Sequence, residues 1–417
     1  MRLRNRVLAG AACVALVAVL AACGTTTDTT TSITGTTLTV YSSLPLQGPE
    51  SSEATDVLDA ERLALQQAGS KVGRYTITFK SLNDATSTGW SPKLIADNAR
   101  TVIQNNNSVA YIGEIDPNAS AQSIPITNAD QVLQVSPYDT AIGLTEATAA
   151  VAGSPDTYYQ SLSAYGRTFG RVVPNDTYQA KAQLQVMKGL GVKNLSVADD
   201  GTPYGDAIAL AVEQDAHAYG ITALPVLRAG AGLAKKVSNS VANALFYGGV
   251  ASTGADQEFN AAVAADPPLK LFGPGGLYTG AFAAGLSAAA QRVTYLSEPG
   301  LSTAELPVAG RDFVSDFKAA YHHTPWTQAI FGYAAMQLVL GSLHRAANAN
   351  DRAEDVAGML ATKKSSWSTS AALGTYPFSS VLGPYAIDKN GDTSLAPYIF
   401  SRVKGGKLVV FKGLIVP

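Results

Sequence analysis

The chain has 417 residues, with 30 Lys+Arg against 32 Asp+Glu and a formal net charge of −2. That balance, with no basic cluster, excludes an electrostatic nucleic-acid surface. The length exceeds what one hydrophobic core usually holds, so two lobes are expected.

Three arginines, Arg2, Arg4 and Arg6, precede an uncharged run from Val7 to Ala22. The run falls short of the roughly 18 residues of a membrane span and fits a signal segment over residues 1–22. It closes in Leu20-Ala21-Ala22-Cys23, which resembles the bacterial lipobox. Lipidation of Cys23 would tether the mature chain outside the cytoplasmic membrane. Cys13 leaves with the signal and Cys23 is the acylation site, so no thiol remains for a disulfide, zinc site or redox pair. The Thr-rich stretch within residues 23–37 has almost nothing to bury and reads as a flexible tether.

From Leu38 onward, short apolar strands alternate with amphipathic helices. The strand around Leu38–Leu44 leads to a helix with Val57, Ala60, Ala64 and Ala68 on one face, ended by Gly69. Tyr75, Ile77 and Phe79 alternate with Thr76, Thr78 and Lys80, the pattern of a half-buried strand. Pro92 opens a helix, followed by a strand at Val109–Ile112, a helix near Ala119–Ala129 and a strand at Val132–Ser136. Residues 143–165 are small and polar and read as a long surface connection. A second series then begins, with a helix over 179–190, the strand of LSVADD and a helix over 204–219. The strands ITALPVL, ALFYGGV and KLFGPGG follow. This alternation predicts parallel sheets covered by helices.

The ordered motifs resemble the Leu/Ile/Val-binding family of solute-binding lipoproteins that feed ABC importers. The landmarks are Leu44-Pro45-Leu46-Gln47-Gly48-Pro49, Tyr111-Ile112-Gly113, Ser136-Pro137 with Thr140, and Asp199-Asp200-Gly201-Thr202-Pro203-Tyr204-Gly205. Phe246-Tyr247-Gly248-Gly249, Phe272-Gly273-Pro274, Gly332-Tyr333-Ala334-Ala335-Met336 and Ile387-Asp388-Lys389-Asn390-Gly391-Asp392 continue the series. The resemblance implies an α/β fold of two Rossmann-like lobes joined by three crossings, the clamshell of a type 1 periplasmic binding protein. Lobe one would take residues 38–165 and 304–373, lobe two residues 168–292 and 384–417.

In that family a Ser/Thr-rich loop and a second segment of lobe one bind the ligand's carboxylate. Carried over by position, these are Asn118, Ala119 and Ser120, then Tyr138, Asp139 and Thr140, with Tyr204 covering the ligand from lobe two. Three positions depart from the pattern. Pro117 replaces a serine, Val250 replaces an aromatic, and Gly275 stands where an acidic residue pairs the ligand's ammonium. A desolvated ammonium without a counter-charge is costly. Unless Asp116, Asp139, Asp200 or Asp256 substitutes, the expected guest is therefore a small polar solute other than an ordinary branched-chain amino acid: amino-acid-like, an amide, a carboxylate or an aromatic molecule.

Catalytic and metal readings find no support in the residues. His322 and His323 are adjacent and would diverge by about 100° on a helix, and His217 and His344 lack spaced partners. The Asp388–Asp392 segment lacks the glutamate of a calcium loop and reads as a hairpin turn. Neither a phosphate loop nor a Gly-x-Ser-x-Gly elbow occurs. The expectation is a monomeric, cofactor-free lipoprotein, not an enzyme, that delivers a small molecule to an ABC permease by hinge closure. The alternative is a ligand-sensing lipoprotein of the same fold coupled to a membrane signalling partner.

Overall fold

Strands Ser108–Ile112, Ala244–Gly248 and Thr294–Pro299 are buried at every position, the signature of parallel strands covered on both faces. The computed structural model describes residues 35–349 and 378–416, and Cys23, the signal segment and most of the tether lie outside them. No helix among the described residues is long and apolar enough to cross a membrane.

The strands form two large sheets. In the first, the order is Lys71–Val72, Tyr75–Asn83, Thr37–Leu44, Ser108–Ile112, Leu133–Ser136 and Phe169–Arg171, all parallel except the first pair. The second runs Thr222–Ala223, Asn194–Asp199, Ala244–Gly248, Lys270–Gly273 and Thr294–Pro299 in parallel. It continues antiparallel into Pro397–Lys404 and Lys407–Ile415. The expected strand in ITALPVL is reduced to two residue pairs, Thr222–Ala223 and Leu227–Arg228, on one side of Asn194–Asp199. Pro225 between them has no N–H for the ladder.

Among the described residues the chain passes between the sheets three times, after Arg171, after Pro299 and before Pro397. Two boundaries move from their expected places. Phe169–Arg171 pairs with Leu133–Ser136 and so belongs to the first sheet, although lobe two was expected from residue 168. Tyr385 and Ile387 likewise pack in the first core, with Phe331 and Leu382. The stretch 143–165 also differs from expectation. Leu144 and Tyr159 are buried and pack with Ile124, Phe169 and Tyr204, so much of this segment is internal filling.

Side chains cap the starts of helices Asp176–Gly189 and Pro203–Asp215. Asn175 accepts from the Thr177 N–H ahead of helix Asp176–Gly189, and Thr202 from the Gly205 N–H ahead of helix Pro203–Asp215. Helix Ala329–Ala349 lies across helix Ser51–Gln67 at Gly332, where an added Cβ would stand 2.6 Å from the Val57 carbonyl oxygen.

Candidate functional site

Loops leaving the carboxyl ends of parallel strands, with helix starts behind them, present unpaired N–H groups that attract anions. In the first sheet this place is the start of helix Ser120–Ala129. A carboxylate already fills it. Asp139 Oδ1 accepts from the Asn118 N–H at 2.8 Å and Oδ2 from the Ser120 N–H at 2.9 Å, while the Ala141 N–H adds a third bond at 3.2 Å. The Ala119 N–H is taken by the Asp116 carbonyl at 3.0 Å. Asp139 has no exposed surface; burial pushes its carboxyl up, and the Ser120 and Asn118 N–H groups oppose that rise.

The loop holding Asp139 is itself fastened. Ser136 Oγ accepts from the N–H groups of Asp139 and Tyr138 at 2.8 and 3.2 Å and donates to the Glu114 carbonyl at 2.6 Å. Buried Arg171 donates from Nη1 to the carbonyls of Asp139 and Ala141, from Nη2 to Thr145, and from Nε to Asp392 at 2.7 Å. Asn175 completes the Asp392 carboxylate at 3.0 Å. The turn around Asp388 thus does more than reverse the chain, because it delivers the counter-ion of Arg171 to the first lobe.

Tyr138 and Thr140 reach toward the second sheet. The Tyr138 hydroxyl donates to Glu298 Oε2 at 3.1 Å, and its ring packs on Trp326 and Phe331 with centroids 5.5 and 5.8 Å away. Thr140 Oγ1 donates to Asp176 Oδ2 at 2.9 Å, and the Asp176 N–H returns to the Thr140 carbonyl. Tyr204 is buried, and its hydroxyl accepts from the Gly276 N–H at 3.1 Å. Val250 packs partly buried beside it, with its N–H on Asp200.

The space beside Gly275 is defined by neighbours. A Cβ there would meet only ordinary contacts, at 3.7 Å from Gln179 Nε2 and 3.9 Å from the Cβ of Glu298. Glu298 therefore stands next to the position from which the family's acidic side chain would project. Burial holds Glu298 well above the usual carboxylate range, with Tyr138, Gln328 and Tyr278 as opposing donors. Asp176, on the same helix face as Gln179, is also held well above that range by burial. Its Oδ1 and the Oε1 of Gln328 are buried acceptors that receive no hydrogen bond.

Of the substitute carboxylates weighed from the sequence, Asp139 fills the helix start. Asp200 closes its own turn through Thr202, Thr253 and Val250, and Asp256 faces Gly285. Asp116 remains, held high by burial and then by Glu50, Asp84 and Asp139. Beside it Glu114 accepts from the Tyr111 hydroxyl at 2.5 Å and is held well above the usual carboxylate range by burial and then by Asp84, whose own pKa burial raises to about 6. No group of three or more potential metal ligands gathers among the described residues.

Glu298, Asp176 and Arg171 were not singled out in the sequence. A lone charge in an apolar strand was the available signal for two of them, Glu298 in TYLSEP and Arg171 in FGR. Asp176 reads as an ordinary first-turn acid.

Two parallel sheets whose carboxyl-end loops meet along a polar seam define a two-lobed α/β binding protein. The chain belongs to the Periplasmic binding protein family, whose match spans residues 37–407. Its fold is similar to a leucine-binding protein, LivK, from Thermotoga maritima, with TM-score 0.68 and 18% identity over 90% of this chain and 98% of that one. An ABC transporter substrate-binding protein from Desulfitobacterium hafniense in complex with Leu gives TM-score 0.67 and 17% identity, over 90% and 100%. A solute-binding protein from R. palustris in complex with benzoate gives 0.65 and 19%, over 90% and 96%. No curated protein sequence matches the chain.

Proposed function

We propose that this protein is an extracytoplasmic lipoprotein, anchored through Cys23, that captures a small polar solute between two lobes and presents it to an ABC permease. No bond is made or broken in this cycle, and the protein acts as a monomer. The observation that carries the reading is the seam itself. Tyr138 to Glu298, Thr140 to Asp176 and Gly276 to Tyr204 are polar contacts near the carboxyl ends of different strands, and the first two join a loop of the first lobe to residues of the second. A solute that bonds to both sides stabilises the closed arrangement over the open one, and a few kcal/mol of differential affinity inverts the populations.

The family match supports solute binding, and the ligands named for the similar structures, leucine and benzoate, support small molecules as the cargo class. Their description as ABC transporter proteins supports the permease as partner. The lobes follow the sheets: among the described residues, about 38–171 with 308–349 and 378–387, and about 176–299 with 397–416. Solution scattering on the mature protein tests the reading, because a bound solute is expected to reduce the radius of gyration. No change with any member of a broad solute library would reject capture by closure.

A further inference from the structure

The second sheet ends in a basic, apolar hairpin that solute capture does not use. We propose that this hairpin, Pro397–Lys404 with Lys407–Ile415, is a docking surface for a bilayer containing anionic lipid. Lys404, Lys407 and Lys412 meet the headgroups, and Val409, Val410 and Phe411 enter the boundary with the acyl chains.

The charge of this segment is one-sided. From Thr393 to Pro417 the chain carries Arg402, Lys404, Lys407 and Lys412 and no acidic residue, although its formal net charge is −2. None of the four makes an ion pair among the described residues. Glu305 stands against Gly413 at the other end of the strand, where it accepts from Ser302. Gly405 and Gly406, both at positive φ, form the two-residue turn that sets Lys404 directly opposite Lys407. Like charges facing each other across a strand pair repel, and an anion lying between them relieves the repulsion. The Gly406 N–H donates to Gln291 at 3.1 Å, which fixes the turn to helix Ala288–Val293.

The apolar component lies on the same strand. Lys407–Ile415 is the edge of its sheet and pairs on one side only. Of the six large apolar side chains that stand exposed among the described residues, four are here: Val409, Val410, Phe411 and Ile415, at 39–56%. Edge lysines deter strand pairing, but they do not explain three consecutive apolar residues left in water. Phosphate alone would satisfy the lysines and leave the valines wet, whereas the interface of an anionic bilayer satisfies both. The Arg402 guanidinium lies over the rings of Tyr295 and Phe411, 5.0 and 5.5 Å from their centroids, and aromatic rings beside a cation suit headgroup level. Strand register puts Arg402 beside Tyr295 and Tyr398 beside Pro299, so the lysines stand at the end of the sheet away from the seam.

Sedimentation of the mature chain, prepared without its lipid, tests the surface with vesicles of phosphatidylcholine and with equal mixtures of phosphatidylcholine and phosphatidylglycerol. Affinity for the mixed vesicles is expected to exceed that for the neutral ones by at least about tenfold and to fall as salt is added. Each lysine near an anionic surface contributes roughly fivefold, so the combined Lys404→Gln, Lys407→Gln and Lys412→Gln variant is expected to lose more than about tenfold. Val409→Ser with Val410→Ser keeps every charge and is expected to lose at least about threefold. Both variants replace exposed side chains, and an unchanged melting temperature shows that each is folded. Equal binding to the two kinds of vesicle, or an unaffected lysine variant, overturns the proposal. A valine variant that binds like the wild type also overturns it, because the contact is then one that any acidic protein partner could make. Solute capture stands or falls separately, on the scattering result.

Discussion

Glu61 lies within helix Ser51–Gln67 with no exposed surface, and burial raises its carboxyl pKa from 4.5 to about 8. Below pH 4.5 the proton is held in both the folded and unfolded states, so the residue has no effect on stability there. As pH rises from 4.5 toward 8 the unfolded chain ionises first, and the folded state loses stability until its own carboxyl ionises near 8. Glu61→Gln removes this loss. The variant is expected to be more stable at the alkaline end by on the order of 2–4 kcal/mol, and its melting temperature should vary less across the window. Thermal denaturation at several pH values checks both. Arg171 shows the opposite case, a buried charge with all its main donors engaged, where removing one partner leaves the other uncompensated.

At the scale of elements, the close crossing of helices Ser51–Gln67 and Ala329–Ala349 depends on Gly332. Its missing Cβ lets the Val57 carbonyl approach, since an added atom would stand 2.6 Å from that oxygen. Gly332→Ala is expected to cost about 1–3 kcal/mol, because backbone must shift and overpacking outweighs the gain in helix propensity. Gly189, at the end of helix Asp176–Gly189, has nothing within 4 Å of its Cβ position. Gly189→Ala is expected to stabilise by about 0.5–1 kcal/mol. Urea unfolding should move the two midpoints in opposite directions at unchanged slope. Most of these helices and strands were legible in the sequence, because apolar periodicity and the proline and glycine that bound helices are local signals. The stretch 143–165 was not, since its burial comes from Phe169 and Tyr204, which lie outside it.

For the whole molecule, the Tyr138 to Glu298 bond is a direct link between a loop of the first sheet and a strand of the second. Tyr138→Phe deletes the donor and keeps the ring against Trp326 and Phe331. A net hydrogen-bond contribution of about 1 kcal/mol corresponds to a roughly fivefold change in the ratio of closed to open forms. The unliganded variant is therefore expected to show a larger radius of gyration than the wild type in solution scattering. An unchanged value would mean that packing elsewhere, not this bond, holds the seam.

Local chemistry settled the alternation of strands and helices, which depends on residues a few places apart, so composition and period report it directly; the loops that meet at the seam were placed through the family resemblance. The charge character of the site depended on pairs far apart in the chain: Asp139 on the Asn118 and Ser120 amides, Arg171 on Asp392, and Glu298 beside Gly275. A carboxylate reads the same in a sequence whether water, a helix start or a guest will satisfy it. Only the packing of two sheets against shared loops decides which of the three it meets.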